Sequence, residues 1–179
     1  MADQTNPLDL QYLFTTEAEY DDSESSDSES DDDDTNFEPI TYFFYGSLMD
    51  PDVLKSVTQL DKAPEYRDAW IEGYDMKIWG NIYPTLIPSS SSDDKKSGSS
   101  STRILGMAWV ATSMQHCLRL QSYETQAYKA GDCTVHFVDG QPSVEGVTFI
   151  WAGNGDYDDL NEGTFDLEQW QRDYKLGRF

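Results

Sequence analysis

Charge is distributed very unevenly along the chain, and this limits which residues can form a folded core. Residues 1–38 contain 14 Asp and Glu residues and no Lys or Arg. A segment of this kind buries too little apolar surface to offset the entropy lost on ordering, so we expect a largely disordered acidic arm. Residues 39–179 have a net charge of −8, and their length suits one domain. The sequence therefore predicts a single folded domain that follows an acidic arm.

The negative charge of the whole chain excludes several classes of partner. The chain has 12 Lys and Arg against 34 Asp and Glu, a formal net charge of −22. It therefore lacks the basic patch through which proteins bind nucleic acid, and anionic membrane surfaces would repel it. No apolar run is long enough to span a bilayer, and the N-terminus lacks the basic and apolar regions of a secretory signal. We therefore expect a cytoplasmic protein.

Cysteine and histidine are too scarce for a disulfide framework or a ready metal site. The cysteines are Cys117 and Cys133, and the histidines are His116 and His136. His116 and Cys117 are adjacent in a predicted helix, so their side chains diverge and do not form a Cys–His couple. Cys117 is predicted to be a core residue. The sequence also contains no GxxxxGK[ST], GxGxxG or HExxH motif.

The spacing of apolar residues and turn residues predicts an α+β fold. No regular alternation of strands with crossover helices occurs, so a small mixed β-barrel with flanking helices is favoured over a doubly wound sheet. A Ser-rich stretch, 89–102, is predicted to be a flexible surface loop. Strands are predicted over 41–45, 66–79 with a turn near Gly73, 83–88, 103–111 (a buried strand), 133–138 and 144–151.

Three helices are predicted, each starting after a capping residue: Asp50, Ser113 or Asp166. The last of them covers 165–176. Each has an apolar side that is expected to be buried. The residues on these sides are Val53, Leu54 and Val57 in the first helix, Met114, Cys117, Leu118 and Gln121 in the second, and Phe165, Leu167, Trp170 and Tyr174 in the third.

The first candidate site is the turn over 45–49, between the first predicted strand and the first helix. Gly46 in such a turn lets the backbone approach a ligand closely. The N–H groups of Ser47, Leu48 and Met49 are expected to be free here, where they can hold a carboxylate or another anion. An ordinary turn with a small residue explains the same pattern, so both interpretations stay open at this point.

The second candidate is Glu124, at the end of the helix that is predicted to follow Ser113. A carboxylate there faces the negative end of the helix dipole, and with partial burial its pKa would rise. A raised pKa suits a carboxyl group that acts as general acid and base near neutral pH. A solvated glutamate in a connecting loop is the alternative interpretation.

Four short sequence elements follow one another in an order that carries a family resemblance. They are Tyr45-Gly46-Ser47-Leu48-Met49, Gly80-x-x-Tyr83-Pro84, Gly106, and Leu120-x-x-Tyr123-Glu124-x-x-x-Tyr128. In this order and separation they resemble the gamma-glutamylcyclotransferase-like family over about residues 41–151. A weaker similarity to fungal-type members continues in 146–149 and 165–170.

The resemblance implies a small mixed β-barrel with helices around it, one cavity, and no metal or organic cofactor. Family members cyclise a γ-glutamyl group and release 5-oxoproline and a free amine, so the implied partner is a small γ-glutamyl substrate. The family's catalytic glutamate corresponds to Glu124, which would carry protons from the attacking ammonium to the leaving nitrogen. The resemblance assigns substrate contacts to Tyr45, Gly46, Ser47 and Leu48, and walls of the cavity to Tyr83 and Tyr128.

One position departs from the family pattern. Many members have Gly after the catalytic glutamate, whereas Thr125 stands there in this chain. A β-branched residue disfavours a positive φ. We therefore expect the turn after Glu124 to differ from that of the family.

Two further hypotheses compete with a γ-glutamyl cyclotransferase. The first is a binding module on the same fold, with the acidic arm recruiting a basic protein partner. The second is removal of a γ-glutamyl protecting group in a biosynthetic pathway. The presence of Glu124 weighs against the binding module, because a binder has no need of a buried acid.

Overall fold

The computed structural model describes residues 37–89, 102–153 and 157–175. The predictions for the arm before residue 37, for residues 90–101 of the Ser-rich loop and for residue 176 lie outside these ranges. In the described part the helices are α1 (Pro51–Thr58), α2 (Met114–Glu124) and α3 (Leu167–Tyr174). The strands are β1 (Ile40–Phe44), β2 (Arg67–Ile71), β3 (Tyr74–Trp79), β4 (Tyr83–Pro88), β5 (Ile104–Ala111), β6 (Tyr128–Phe137), β7 (Val144–Trp151) and β8 (Leu160–Glu162).

Five of these strands close into a barrel in the order β1-β5-β2-β6-β7. The closing pair, β1 with β7, is parallel, and Tyr42 lies opposite Val147. The other barrel pairs are antiparallel. A second, three-stranded sheet has the order β4-β3-β8. The α+β fold with a small barrel and flanking helices is therefore confirmed.

Strand β1 is buried on both faces, which explains its continuous apolar sequence. Tyr42 and Phe44 pack in a cluster with residues of α1 and α2, such as Leu54. Phe43 points to the other side and packs in a second cluster with residues of β2, β5 and β6, such as Val135. Because β1 runs between the two clusters, the turn that follows it is held by core on both sides.

The boundaries and burial of two strands differ from the prediction. Strand β5 is not uniformly buried, because Leu105 and Val110 are exposed to solvent. Strand β6 begins at Tyr128 rather than at Cys133. Polar residues and Gly131 interrupt any apolar pattern in its first half. The strand forms there because it pairs with β7, from Tyr128 opposite Trp151 to Val135 opposite Val144.

All three predicted helix caps are confirmed. Asp50 accepts hydrogen bonds from the N–H groups of Asp52 and Val53 at the start of α1. Ser113 accepts one from the N–H of His116, and Asp166 accepts one from the N–H of Gln169. The first turn of each helix is thereby satisfied, as capping residues of this type require.

The predicted apolar sides of α2 and α3 are only partly right. In α2 the buried residues are Cys117 and Leu120, whereas Leu118 is 40% exposed. Leu118 is one residue after Cys117, which turns its side chain about 100° away around the helix. In α3 Trp170 is buried, but Tyr174 is 38% exposed, because the last turn is anchored by polar side chains instead.

Candidate active site

A cavity of about 350 Å³ opens where the end of β1, the end of α2 and the β3–β4 hairpin meet. Its walls come from elements far apart in the chain, so only the closed barrel brings them together. Every residue to which the family resemblance assigned a role at the site lies on its wall: Tyr45, Gly46, Ser47, Leu48, Tyr83, Glu124 and Tyr128.

The turn after β1 forms one side of this cavity. It is a 3-10 turn over Ser47–Met49, in which the Met49 N–H donates to the carbonyl of Gly46 at 3.0 Å. Met49 therefore does not offer the free N–H that the sequence analysis expected. The N–H groups of Ser47 and Leu48 lie at the start of the turn and take no part in its own hydrogen bonds, since those come from Met49 and Asp50. These two groups are available to an anionic ligand.

Gly46 lies at a close approach of two chain segments. A Cβ atom at this position would lie 3.0 Å from Cγ of Pro84 on β4. That distance is tighter than ordinary van der Waals contact, so a larger residue would require the Pro84 ring to move by a few tenths of an ångström.

Tyrosine hydroxyl groups tie the walls of the cavity to one another. The Tyr45 hydroxyl donates to the carbonyl of Phe149 at 2.6 Å, which joins the turn to β7. The Tyr128 hydroxyl donates to the carbonyl of Pro84 at 3.0 Å, which joins β6 to β4. Hydrogen bonds between elements this distant restrict how far the walls can move apart.

Glu124 is the last residue of α2 and the only Asp or Glu among the described residues that line the cavity. Burial of the carboxyl group raises its pKa to about 8. Burial also raises the pKa of Tyr45 and that of Tyr128, and the negative charge of Glu124 contributes to both increases. The three side chains therefore lie within electrostatic reach of each other, around a carboxyl group that exchanges protons near neutral pH.

The residue after Glu124 adopts a positive φ despite its β-branched side chain. Thr125 has φ 61° and ψ −168°, a region that is nearly reserved for glycine. Its hydroxyl oxygen accepts a hydrogen bond from the N–H of Ala127 at 3.3 Å. The surrounding structure imposes the conformation, which ends α2 at the residue that carries the carboxyl group.

Several wall residues were missed by the sequence analysis. Trp79 and Tyr123 both line the cavity. The alternating side chains of β3 could face either side of the sheet, so the sequence does not show that Trp79 faces the cavity. The register of β3 with β4 decides this. Tyr123 stands in a motif that was recognised, and its role becomes visible only through the 2.9 Å contact of its hydroxyl with Ser47 Oγ.

The described residues contain no group of three or more His, Cys, Asp or Glu side chains that could hold a metal ion. In the same part of the chain, no helix has the length and apolar character to cross a membrane.

The family model described as "Gamma-glutamyl cyclotransferase, AIG2-like" matches residues 42–172. The chain therefore belongs to this family, and the resemblance noted in the sequence is confirmed. A search of curated protein sequences returned no match.

Solved structures show the same fold at low sequence identity. The Arabidopsis thaliana protein At3g28950.1 has a TM-score of 0.57 and 22% identity, over 86% of this chain and 80% of that one. A second Arabidopsis thaliana protein, At5g39720.1, has a TM-score of 0.55 and 23% identity, over 80% and 88%. An AIG2-like protein from Mus musculus has a TM-score of 0.52 and 16% identity, over 72% and 88%.

Proposed function

We propose that this chain cyclises a γ-glutamyl amide or peptide to 5-oxoproline and releases the free amine, with Glu124 as general acid and base. One observation carries the proposal: a carboxyl group with a pKa of about 8 lies in the same cavity as the free N–H groups at the start of the turn after β1. Membership of the cyclotransferase family supports the general reaction. The folded domain over 39–179 would carry this activity.

Binding would orient the two ends of the glutamyl group towards each other. The N–H groups of Ser47 and Leu48 would hold its α-carboxylate, as backbone N–H groups at a turn hold anions. The α-ammonium group would then face Glu124, and the γ-carbonyl would lie within reach of the α-nitrogen. Because the attack is intramolecular, such positioning supplies much of the rate acceleration.

Glu124 would move protons between the two nitrogen atoms. As a carboxylate it takes a proton from the α-ammonium group, and the α-nitrogen then attacks the γ-carbonyl carbon and closes the five-membered ring. Glu124 returns this proton to the leaving nitrogen, and the bond between that nitrogen and the γ-carbon breaks. Glu124 then carries a second proton from the ring nitrogen to the released amine, which leaves as an ammonium ion. The lactam keeps one N–H, and Glu124 ends as the carboxylate with which it began.

The pKa of Glu124 suits this transfer. An α-ammonium group beside a free carboxylate has a pKa about one unit above the roughly 8 of a peptide N-terminus, so its proton transfer to a carboxyl group with a pKa of about 8 costs only about 1–1.5 kcal/mol. An exposed glutamate, with a pKa of about 4.3, would be too weak a base to accept the proton. Burial at the end of α2 is therefore what equips Glu124 for the reaction.

The decisive experiment measures 5-oxoproline release from a panel of γ-glutamyl amides and peptides. We expect turnover by the wild type and a loss of at least roughly 100-fold in Glu124→Gln, which keeps the shape of the side chain but exchanges no protons. The exposed Glu65→Gln variant is the control and should retain full activity. Equal activity of wild type and Glu124→Gln would remove Glu124 from the mechanism, and no release from any donor would overturn the reaction itself.

The same panel separates general γ-glutamyl turnover from deprotection in a biosynthetic pathway, because a deprotecting enzyme would accept one donor and reject simple ones. A cytosolic location and a basic protein partner for the acidic arm stay predictions of the sequence.

A further inference from the structure

A row of aromatic side chains leads away from the carboxyl group of Glu124. Tyr128 lies near both Glu124 and Tyr83, since both act electrostatically on its hydroxyl group, and all three line the cavity. The Tyr83 ring centroid is 5.6 Å from that of Trp79, which in turn lies 5.5 Å from that of Trp151. Trp79 and Tyr83 line the cavity and are partly exposed, so their rings are accessible to a ligand that occupies it.

The cavity offers no cation to a second anionic group of the substrate. Among the described residues that line it there is no Lys, Arg or His, and the one carboxyl group is Glu124. The nearest lysine along β3, Lys77, forms an ion pair with Glu162 on β8. A carboxylate on the leaving group would therefore enter an apolar wall without a partner and close to Glu124, which is costly.

The position of the glutamyl group determines which part of the substrate meets this wall. If its α-carboxylate lies on the turn after β1 and its γ-carbonyl lies at Glu124, the leaving amine extends from Glu124 towards Tyr83 and Trp79. A cavity of about 350 Å³ is at the small end of ligand sites, so it suits a γ-glutamyl group with one compact substituent. Aromatic rings bind other rings in offset or tilted contacts, which favours a ring at this place.

We propose that the preferred substrates are γ-glutamyl amides of an arylalkylamine that carries no further charged group, whose ring packs against Trp79 and Tyr83. The inference rests on the proposed function and specifies its leaving group. The step is the cyclisation described above: the bond from the γ-carbon to the arylalkylamine nitrogen breaks, and that nitrogen leaves with the protons delivered through Glu124.

The first test compares substrates that differ by one group, with the wild-type chain. γ-Glutamylphenethylamide and γ-glutamylphenylalanine differ only in the carboxylate, and we expect at least a tenfold higher kcat/KM for the phenethylamide. γ-Glutamylcyclohexylethylamide replaces the aromatic ring by an aliphatic one of similar size, and we expect a lower kcat/KM for it. A γ-glutamyl amide of 1,5-diaminopentane carries a terminal ammonium group and should also react more slowly.

The second test uses variants of the wall. Trp79→Ala should raise KM for the phenethylamide several-fold and reduce the enzyme's preference for the phenethylamide over the cyclohexyl compound. Trp79→Phe should keep both the KM and the preference of the wild type. Trp70→Ala is the matched control, because Trp70 stacks on His136 in the barrel sheet and is absent from the cavity lining. The donor comparison needs no variant to fold, so the inference can be judged without them.

Each result has one consequence. Release of 5-oxoproline with equal or faster turnover of γ-glutamylphenylalanine would overturn the aromatic-amine specificity and leave the proposed function standing. A preference for the diaminopentane compound would mean that the rings bind a cation, and this result would also overturn the specificity for an aromatic leaving group. No 5-oxoproline from any donor would overturn the proposed function and this inference together.

Discussion

The ammonium group of Lys175, just after α3, lies 2.7 Å from Oδ2 of Asp50, whose side chain is fully buried. Asp50 follows the cavity turn directly and caps α1, so this ion pair fastens the end of α3 to the turn proposed to bind substrate. Gln171 donates a further hydrogen bond to Asp50 from one helical turn earlier. The C-terminal end of α3, although remote in sequence, thus holds the N-terminus of α1 in place.

Removal of this cation should destabilise the protein. Lys175→Met leaves a buried carboxylate that keeps only the hydrogen bonds from Gln171 and the α1 backbone, and we expect a loss of about 1–3 kcal/mol in the free energy of unfolding. Urea unfolding measures the free energy of unfolding, and Lys62→Met at an exposed position is the control. Similar stability of the two variants would show that the pair contributes little.

The same pair predicts a pH dependence of stability. Burial by itself would raise the pKa of Asp50, but the hydrogen bonds from Lys175 and Gln171 hold it below its ordinary value. A depressed pKa in the folded state contributes stability above the unfolded pKa, near 4, and that contribution is lost as the pH falls through the folded value. Lys175→Met should therefore lose less stability than the wild type on acidification from pH 5.

Enzyme activity should follow the titration of Glu124. The carboxylate form accepts the proton, so kcat/KM should rise from pH 6 and level off above about pH 8, the pKa of the free enzyme's carboxyl group. At still higher pH it should fall again as the substrate ammonium group loses its proton. Initial rates of 5-oxoproline release across pH 5.5–10 test this, and a flat profile between pH 6 and 8 would contradict it.

Glu124→Gln should increase the stability of the folded protein at neutral pH. The pKa of Glu124 is about 8 in the folded state against an ordinary 4.5, so between these values the unfolded chain has released a proton that the folded chain keeps. Wild-type stability then falls with rising pH, by at most about 1.4 kcal/mol per pH unit from this group. The stability of Glu124→Gln relative to wild type should increase from pH 5 to pH 8, measured by urea unfolding, while that of Glu65→Gln stays constant.

The strained turn after the catalytic candidate should be relieved by glycine. Thr125→Gly removes the side chain from a φ of 61° with an extended ψ, and we expect a gain of about 1 kcal/mol after the entropy cost of glycine is subtracted. Thr125→Ala is the matched control, since it also loses the hydroxyl but retains the strain. Equal thermal stability of the two variants would mean that the backbone carries no strain here.

Local signals in the sequence were sufficient for much of the fold. Asp50, Ser113 and Asp166 cap their helices as predicted, because a cap depends on hydrogen bonds to residues only two or three positions away. The family motifs also identified Glu124 and the turn after β1, which share a cavity. By contrast, the first half of β6 was missed, because its pairing with β7 and not its own composition makes it a strand.

The sequence by itself determined the family, the strands with strong apolar patterns, the helix starts and the residues of the candidate site. Only the tertiary structure decided the burial that raises the pKa of Glu124, the aromatic wall that includes Trp79, and the ion pair between Asp50 and Lys175. The physical reason is range. Caps and periodicity act between near neighbours, whereas desolvation, wall packing and a pair 125 residues apart exist only after the barrel has closed and α3 has docked.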